Sequence, residues 1–543
     1  MAQEYKLKGL TSLDLKAGEK REVEVEGIEE GKVLLCNVGG KTSAIGARCT
    51  HYGAPLVKGV LTGDGRLTCP WHGACFKASN GDIENAPAID ALPSFELSEK
   101  SGGVYVTGEE SAIKNSRRKP KLRVNGKAPE KVVVVGGGSG ALGAIEALRE
   151  GGFTGGITMI SSEGHTPYDR TKLSKALIDD HSKIALRDED WFKDASVDVV
   201  YDQVTDIVFD GKKVATKSGN SFSYTKLILA TGGSPKNLPL PGFKDLGNIF
   251  LLRTIPHVKE IVSAIGSKNK KIVVIGSSFI GMEVANATSK DNTVTVVGME
   301  SAPLERVMGA EVGKIFQSQL SKSGITFKLS AGVEKAIPSS TDSSNVGGVV
   351  LKDGTTLEAD LVILGIGVSP QTSYLQDNDA VQLEKDGSLK TNEHFQLDGH
   401  KDVYAIGDIA TYPYHGPGGN GTPTRIEHWN VAQNAGRAAA NHILHPDSDP
   451  KLFTPIFWSA LGSQLRYCGA TPNGWDTLTL KGEPNEGKFA AYYSKGDTVV
   501  AVATMGMDPI MSQASELMRR GVMPSKGEIE GGVDILGIDV PAL

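Results

Sequence analysis

The chain has 543 residues, a length for three or four domains at roughly 150 residues each. Its 66 glycines, about 12% against roughly 7% in average chains, form no collagen period or low-complexity tract and so belong to particular turns. A net charge of −6 speaks against coating a nucleic acid, no apolar run reaches a membrane span, and five cysteines make no disulfide framework.

Residues 1–108 read as β-rich, with short runs such as Lys32–Asn37 and Val104–Val106 between Gly, Asp and Asn turns. The N-terminus has no apolar core and carries acids early, so it reads as neither a secretory signal nor a transit peptide. That favours a reducing, cytoplasmic setting, with mitochondrial association as the alternative. Every cysteine but Cys468 falls in this first region. Residues 109–129 read as a linker. Lys114–Lys127 holds seven basic residues and no acid, as a solvated charge run does; a nuclear-targeting or phosphate-binding patch is the other reading.

After Pro129 the pattern changes. Lys131–Val135 is a β-branched run suited to a strand buried on both faces, Ala141–Arg149 is helical, and Ile157–Ser161 is a second strand. The same unit recurs at Lys271–Gly276, Gly281–Ser289 and Val294–Val297, which implies two parallel-sheet domains. From about Lys451 short strands return, ending in one helix near Asp508–Arg520.

Two loops carry the strongest chemistry. Cys49-Thr-His51 is followed after 17 residues by Cys69-Pro-Trp-His72. Two Cys and two His could make a structural zinc site. Here each loop supplies one of each, which suits a two-iron cluster with both thiolates on one iron and both imidazoles on the other. Gly53 and Gly73 let the backbone turn beside it. Cys36 and Cys75 read as small core residues.

Gly136-Gly137-Gly138-Ser139-Gly140-Ala141 joins a strand to a helix, and Glu163 ends the next strand. This is the context in which a glycine loop holds a dinucleotide pyrophosphate. The second copy, Gly276-Ser277-Ser278-Phe279-Ile280-Gly281, has serine for its middle glycine. Gly298 stands where an acid would meet the ribose, with Glu300 two residues later, and Arg306 is too distant in sequence to assign to a 2′-phosphate. NADH is favoured over NADPH.

These motifs carry a resemblance. Cys-x-His…Cys-x2-His, with Asn80-Gly-Asp, Ala86-Pro and Leu92-Pro behind it, resembles a Rieske [2Fe–2S] domain of the ferredoxin type. Ala54 and Trp71 stand where the respiratory type carries a disulfide pair, and Ala74 where it carries a serine, which implies no bridge and a lower potential. From Gly136 onward, Pro167–Lys175, Ala230–Gly233, Gly365–Pro370, Gly407-Asp408 and Glu427-His-Trp429 occur in the order of the two-dinucleotide flavoprotein reductases. The whole chain resembles the Rieske-bearing branch of the apoptosis-inducing-factor-like oxidoreductases, related to ferredoxin reductases.

The resemblance implies a multi-domain fold: a β-rich Rieske domain, two Rossmann-like α/β domains and a C-terminal α+β domain. It implies a Rieske domain at 1–108, FAD-binding parts at 130–250 and 378–450, an NAD(P)-binding domain at 251–377 and a C-terminal reductase or dimerisation domain at 451–543. Cys49, His51, Cys69 and His72 would be the metal ligands. Gly136, Gly137, Gly138, Ser139, Gly140 and Glu163 would hold the ADP half of FAD, and Arg170 its pyrophosphate. Val204, Arg253, Asp408, His428, Trp429 and Trp458 would complete that site. Lys175, paired with Glu283, would lie near flavin N5. Gly276, Ser278, Gly281, Glu300 and Gly367 would bind the coenzyme.

The implied activity is NAD(P)H oxidation through FAD and the cluster to an external acceptor: an oxygenase, a haem protein or a small molecule. A homodimer is also implied. The alternative is a redox-sensing, apoptosis-related interaction protein in which slow NADH oxidation sets conformation. No cysteine lies between Cys75 and Cys468, so the dithiol of disulfide reductases is missing, and the histidines outside the cluster show no facial-triad spacing for a mononuclear iron.

Overall fold

The computed structural model describes residues 2–100, 102–122, 124, 128–266 and 269–542. Among these, no helix is long and apolar enough to cross a membrane. The expected fold class is found.

The N-terminal region is built from two antiparallel sheets. A six-stranded sheet runs in the order Gln3–Lys6, Gly103–Gly108, Ser94–Lys100, Lys41–Gly46, Lys32–Val38, Lys20–Glu24. A four-stranded sheet is formed by Val60–Leu61, Arg66–Thr68, Cys75–Lys77 and Ile83–Asn85. One Cys/His loop precedes the strand at Val60. The other is the tight connection from Thr68 to Cys75. Leu34, Ile45, Leu67 and Phe76 bury the core between them.

The first α/β unit has a parallel sheet in the order Val197–Tyr201, Gly156–Ser161, Lys131–Val135, Lys226–Leu229, Val403–Ala405. The last strand arrives from beyond the second unit. Val132–Val135 are buried on both faces, which is why that run shows no alternation. Helix Ser139–Glu150 packs on helix Trp429–Leu444 with backbones in contact: a Cβ on Gly436 would meet the Gly140 carbonyl oxygen at 2.2 Å. The second unit repeats the plan, in the order Ile249–Leu251, Leu361–Leu364, Lys271–Ile275, Thr293–Val297, Thr326–Lys328.

The C-terminal region is a five-stranded antiparallel sheet covered by helix Ile510–Arg519. A second helix, Lys526–Glu530, follows where the sequence pattern shows one helix only. It is five residues long, below the reach of periodicity, and is fixed by a capping box between Ser525 and Glu528.

The basic segment departs from the expected solvated run. Glu110–Asn115 is helical, and Ser116 is buried with its Oγ accepting from the Ala47 N–H. Arg117 Nη1 lies 2.6 Å from Asp90 Oδ2, and Arg118 Nη2 lies 2.5 Å from Asp82 Oδ1. The arginines are therefore paired with acids of the β region, while Lys119 and Lys121 stay exposed. Arg123 and Lys127 lie outside the described residues.

Buried bonds fix the β region on the rest of the chain. Arg187 joins Asp90 at 2.7 Å and Glu146 at 2.8 Å, all three nearly inaccessible to water. Asn430 and Asn434, one turn apart on their helix, grip the carbonyl and N–H of Ala86, both at 2.9 Å. Arg466 Nε donates to the Trp71 carbonyl at 2.8 Å and Ser512 Oγ to that of Cys69 at 2.7 Å.

Candidate active site

The two Cys/His loops share one turn. The Cys49 N–H donates to the Ala54 carbonyl at 2.9 Å, and the Cys69 N–H to the Ala74 carbonyl at 2.7 Å. Each ring closes over six residues, 49–54 and 69–74, with Gly53 (φ +77°) or Gly73 (φ +73°) just before its end. Ala54 and Ala74 are buried at these closures.

The four expected ligands come together as two pairs. The buried thiols of Cys49 and Cys69 hydrogen-bond each other, and His51 Nδ1 lies 3.2 Å from His72 Nδ1. Among the described residues no three His, Cys, Asp or Glu side chains converge on one ion. Thiol with thiol and imidazole with imidazole is the donor set of a two-iron cluster with mixed ligands, so these residues fit that group. Burial holds His51 down to about 4 and His72 well below its ordinary value, which keeps both rings in the neutral, ligating form. Cys36 and Cys75 are buried outside the pairs, and burial pushes their thiols up to about 12 and about 11.

Beside the ligands opens a cavity of about 540 Å³, outside the carboxyl ends of the first parallel sheet. Residues 136–140 form its floor. A Cβ on Gly136 (φ +121°) would strike the Ala230 carbonyl oxygen at 2.2 Å, whereas one on Gly138 would meet nothing within 4 Å. The loop is thus pressed on the sheet at one glycine and open at the next, which leaves room for a pyrophosphate over the N-terminus of helix Ser139–Glu150.

The expected partners of a flavin nucleotide line the same cavity. Glu163 Oε1 pairs with Arg170 Nη2 at 2.6 Å. Burial alone would raise the Glu163 carboxyl, but Arg170 and the Tyr168 hydroxyl hold it below its ordinary value. Arg253 Nη2 lies 2.7 Å from Asp408 Oδ2. Lys175 Nζ lies 3.0 Å from Glu283 Oε1, and Glu283 also accepts from Ser174 and Ser459. Three elements therefore hold one carboxylate beside one ammonium. Val204, Trp429 and Trp458 also line the cavity. His428 is there too, half-buried; desolvation holds its ring down to about 4, and its inaccessible Nδ1 lacks a protein partner.

Gly276, Ser278, Gly281, Glu300 and Gly367 are not in this wall; they follow three strands of the second sheet at its carboxyl end, where residues 276–281 form a second, similar loop. Val135 pairs with Ile160 and Ile275 with Val297, so Glu163 and Glu300 are each three residues beyond equivalent strand positions. Gly298 is therefore the counterpart of Ser161, not of Glu163. The reason is steric. A Cβ on Gly137 would meet Ser161 Oγ at 2.5 Å, and a Cβ on Gly298 would meet Ser277 Oγ at 2.6 Å. Each loop fits one serine at that contact and needs glycine opposite.

Arg306 also differs from expectation. Its Nε lies 2.7 Å from Glu300 Oε1, because the Leu304 N–H bonds back to the Ser277 carbonyl and starts the next helix over the loop. Ser459 and Phe457 were not legible as site residues, since an isolated serine and an isolated aromatic carry no spacing signal.

Cavity and cluster ligands meet at Trp458. Its ring lies 4.6 Å from that of His72 and 5.5 Å from that of His51.

Comparison with known proteins agrees with this arrangement. Residues 6–96 match the Rieske [2Fe-2S] domain, residues 130–436 the pyridine nucleotide-disulphide oxidoreductase family and residues 456–531 the reductase C-terminal family. Apoptosis-inducing factor 3 of Homo sapiens is 36% identical over 95% of this chain and 84% of its own. Rhodocoxin reductase of Rhodococcus erythropolis is 30% identical over 69% of this chain and 86% of its own. The crystal structure of the covalent putidaredoxin reductase–putidaredoxin complex superposes with a TM-score of 0.67, at 28% identity over 72% of this chain and 93% of that one. The Rieske loops, the paired glycine loops and this likeness place the chain in the pyridine nucleotide-disulphide oxidoreductase family, as a ferredoxin-reductase-like NAD(P)H oxidoreductase bearing its own Rieske domain.

Proposed function

We propose that the chain oxidises NADH in preference to NADPH and passes the electrons through its own Rieske domain to an acceptor outside the chain. Bound FAD and a [2Fe–2S] cluster would supply the exchange between two-electron and one-electron chemistry.

The chain's own residues define the rest. Gly136–Gly140 and Arg170 would bind the pyrophosphate, and Glu163 a ribose. Glu283 orients Lys175 and would keep its ammonium at the flavin ring, where it favours negative charge. Arg253 shields Asp408, leaving that carboxylate for a hydroxyl contact. Glu300 at the second loop would accept from the ribose hydroxyls of NADH and repel a 2′-phosphate.

The observation that carries the reading is the packing of His72 and His51 on Trp458, a wall residue of the cavity. The structure named above is a covalent putidaredoxin reductase–putidaredoxin complex; here a Rieske domain belongs to the same chain. The family name refers to a disulphide, yet no cysteine stands between Cys75 and Cys468.

The test is His72→Ala. It should remove the Rieske EPR signal and turnover with one-electron acceptors, while NADH still bleaches the flavin absorbance at its normal rate. Loss of flavin bleaching as well would contradict the modular reading.

A further inference from the structure

We propose that Asp169, a residue of the first α/β unit, is a positioning residue for the Rieske centre. Through the Tyr52 hydroxyl it fixes the ring stacked on His51 and holds a buried negative charge there, which lowers the reduction potential. This role requires the Rieske match of residues 6–96 and is independent of the electron path proposed above.

Tyr52 follows His51 in the first ligand loop. Its ring stacks on the His51 imidazole at 3.8 Å and 14°, and stands edge-on to that of His72 at 5.5 Å and 86°. One ring thus packs on both imidazoles. Its hydroxyl donates to Asp169 Oδ2. The other oxygen, Oδ1, accepts from the Thr171 N–H at 3.2 Å and from Thr171 Oγ1 at 2.6 Å. The Asp169 N–H donates to the Ile184 carbonyl at 2.7 Å, which anchors the backbone. Turning the carboxylate would break bonds at both of its oxygens.

Asp169 is 6% exposed. A buried carboxylate ordinarily has a cation beside it, as Glu163 has Arg170, Asp408 has Arg253 and Glu283 has Lys175. Among the described residues none pairs with Asp169, and its three side-chain donors are neutral. The cations nearby are engaged or partly in water. Arg117 pairs with Asp90, and Arg466 on the His72 side pairs with Asp508. Lys172 lies over the Tyr52 ring, 5.2 Å from its centroid, and is only half-buried.

The carboxylate therefore acts on what is near it. Burial dominates the His51 ring, and among the charges that reach it Asp169 comes first, ahead of cationic Lys172 and Arg117. A negative charge without a counter-ion in a low-dielectric site favours the more positive, oxidised state of a neighbouring centre. Because Asp169 lies outside the Rieske region, the potential depends on how that region is seated.

The experiment titrates the holoprotein with dithionite and mediators and follows the Rieske EPR signal, so neither NADH nor an acceptor takes part. Asp169→Asn keeps the shape and removes the charge. It is expected to make reduction about tenfold more favourable, an upward shift of about 59 mV for one electron. The shift should persist at high salt, since the group is buried. Asp169→Glu keeps the charge and is expected to stay near the parent potential. Tyr52→Phe keeps the ring and releases the tie; it should change the g values, with a smaller upward shift. The proposal is overturned if Asp169→Asn retains the signal at an unchanged or lower potential, or if Asp169→Glu shifts it as far as Asp169→Asn. If Asp169→Asn assembles no cluster, Tyr52→Phe decides: parent g values and parent potential there overturn the proposal.

Discussion

Trp458 lies against His72, ring centroids 4.6 Å apart and planes at 45°, while its side chain also lines the large cavity. Trp458→Leu keeps an apolar filler and removes the ring. Flavin bleaching by NADH is expected to stay near normal, and reduction of the Rieske centre to become the slow step. Stopped-flow absorbance at the two centres separates these phases; equal rates in variant and parent would remove Trp458 from the path.

Lys175 is the one ammonium paired with Glu283 in the cavity wall. Lys175→Met is expected to slow flavin bleaching by on the order of 10², the scale for losing one preorganised charge at a reacting centre. NADH binding should weaken far less. A KM increase with an unchanged rate would place Lys175 on the coenzyme instead.

Glu300 occupies in the second loop the position Glu163 occupies in the first. Glu300→Ala is expected to narrow the preference for NADH over NADPH about tenfold, or ~1.4 kcal/mol. Arg306, released from its carboxylate, would add to the gain for NADPH. The ratio of the two kcat/KM values is the readout.

Arg187 bridges Asp90 and Glu146 with its charge out of water. Arg187→Met leaves buried Glu146 without its ion-pair partner and Asp90 with Arg117 alone, and should cost about 3–5 kcal/mol in denaturant unfolding. Glu146 adds a pH signature. Burial raises its carboxyl from 4.5 to about 7, against Arg187 and Arg437 and with Glu150. Between these values the folded chain holds the proton more tightly than the unfolded chain. Its contribution to stability is thus complete below about 4.5 and is lost as pH rises to about 7. Glu146→Gln should flatten that slope; an unchanged slope would assign it to other groups.

The strands and the glycine loops were legible because each has a local signature. Lys131–Val135 is bounded in the structure as the β-branched run bounds it in the sequence. The Cys/His spacing likewise pointed to the residues that pair. What was not legible depends on contacts across the chain. The basic segment reads as solvated until Asp90 and Asp82 are placed beside it. Gly298 reads as a missing acid until Ser277 is seen to fill its space. Arg306 is six residues from Glu300 in sequence, and only the return of Leu304 to Ser277 brings it close.

The buried bonds that seat the Rieske domain would also divide the two proposed electron handovers by their physics. The inner one, held by Arg187, Asn430 and Asn434 away from solvent ions, should be indifferent to ionic strength and to dilution. Delivery to an outside acceptor, as proposed above, would instead cross water and its ions, so the surrounding medium would throttle delivery without touching uptake.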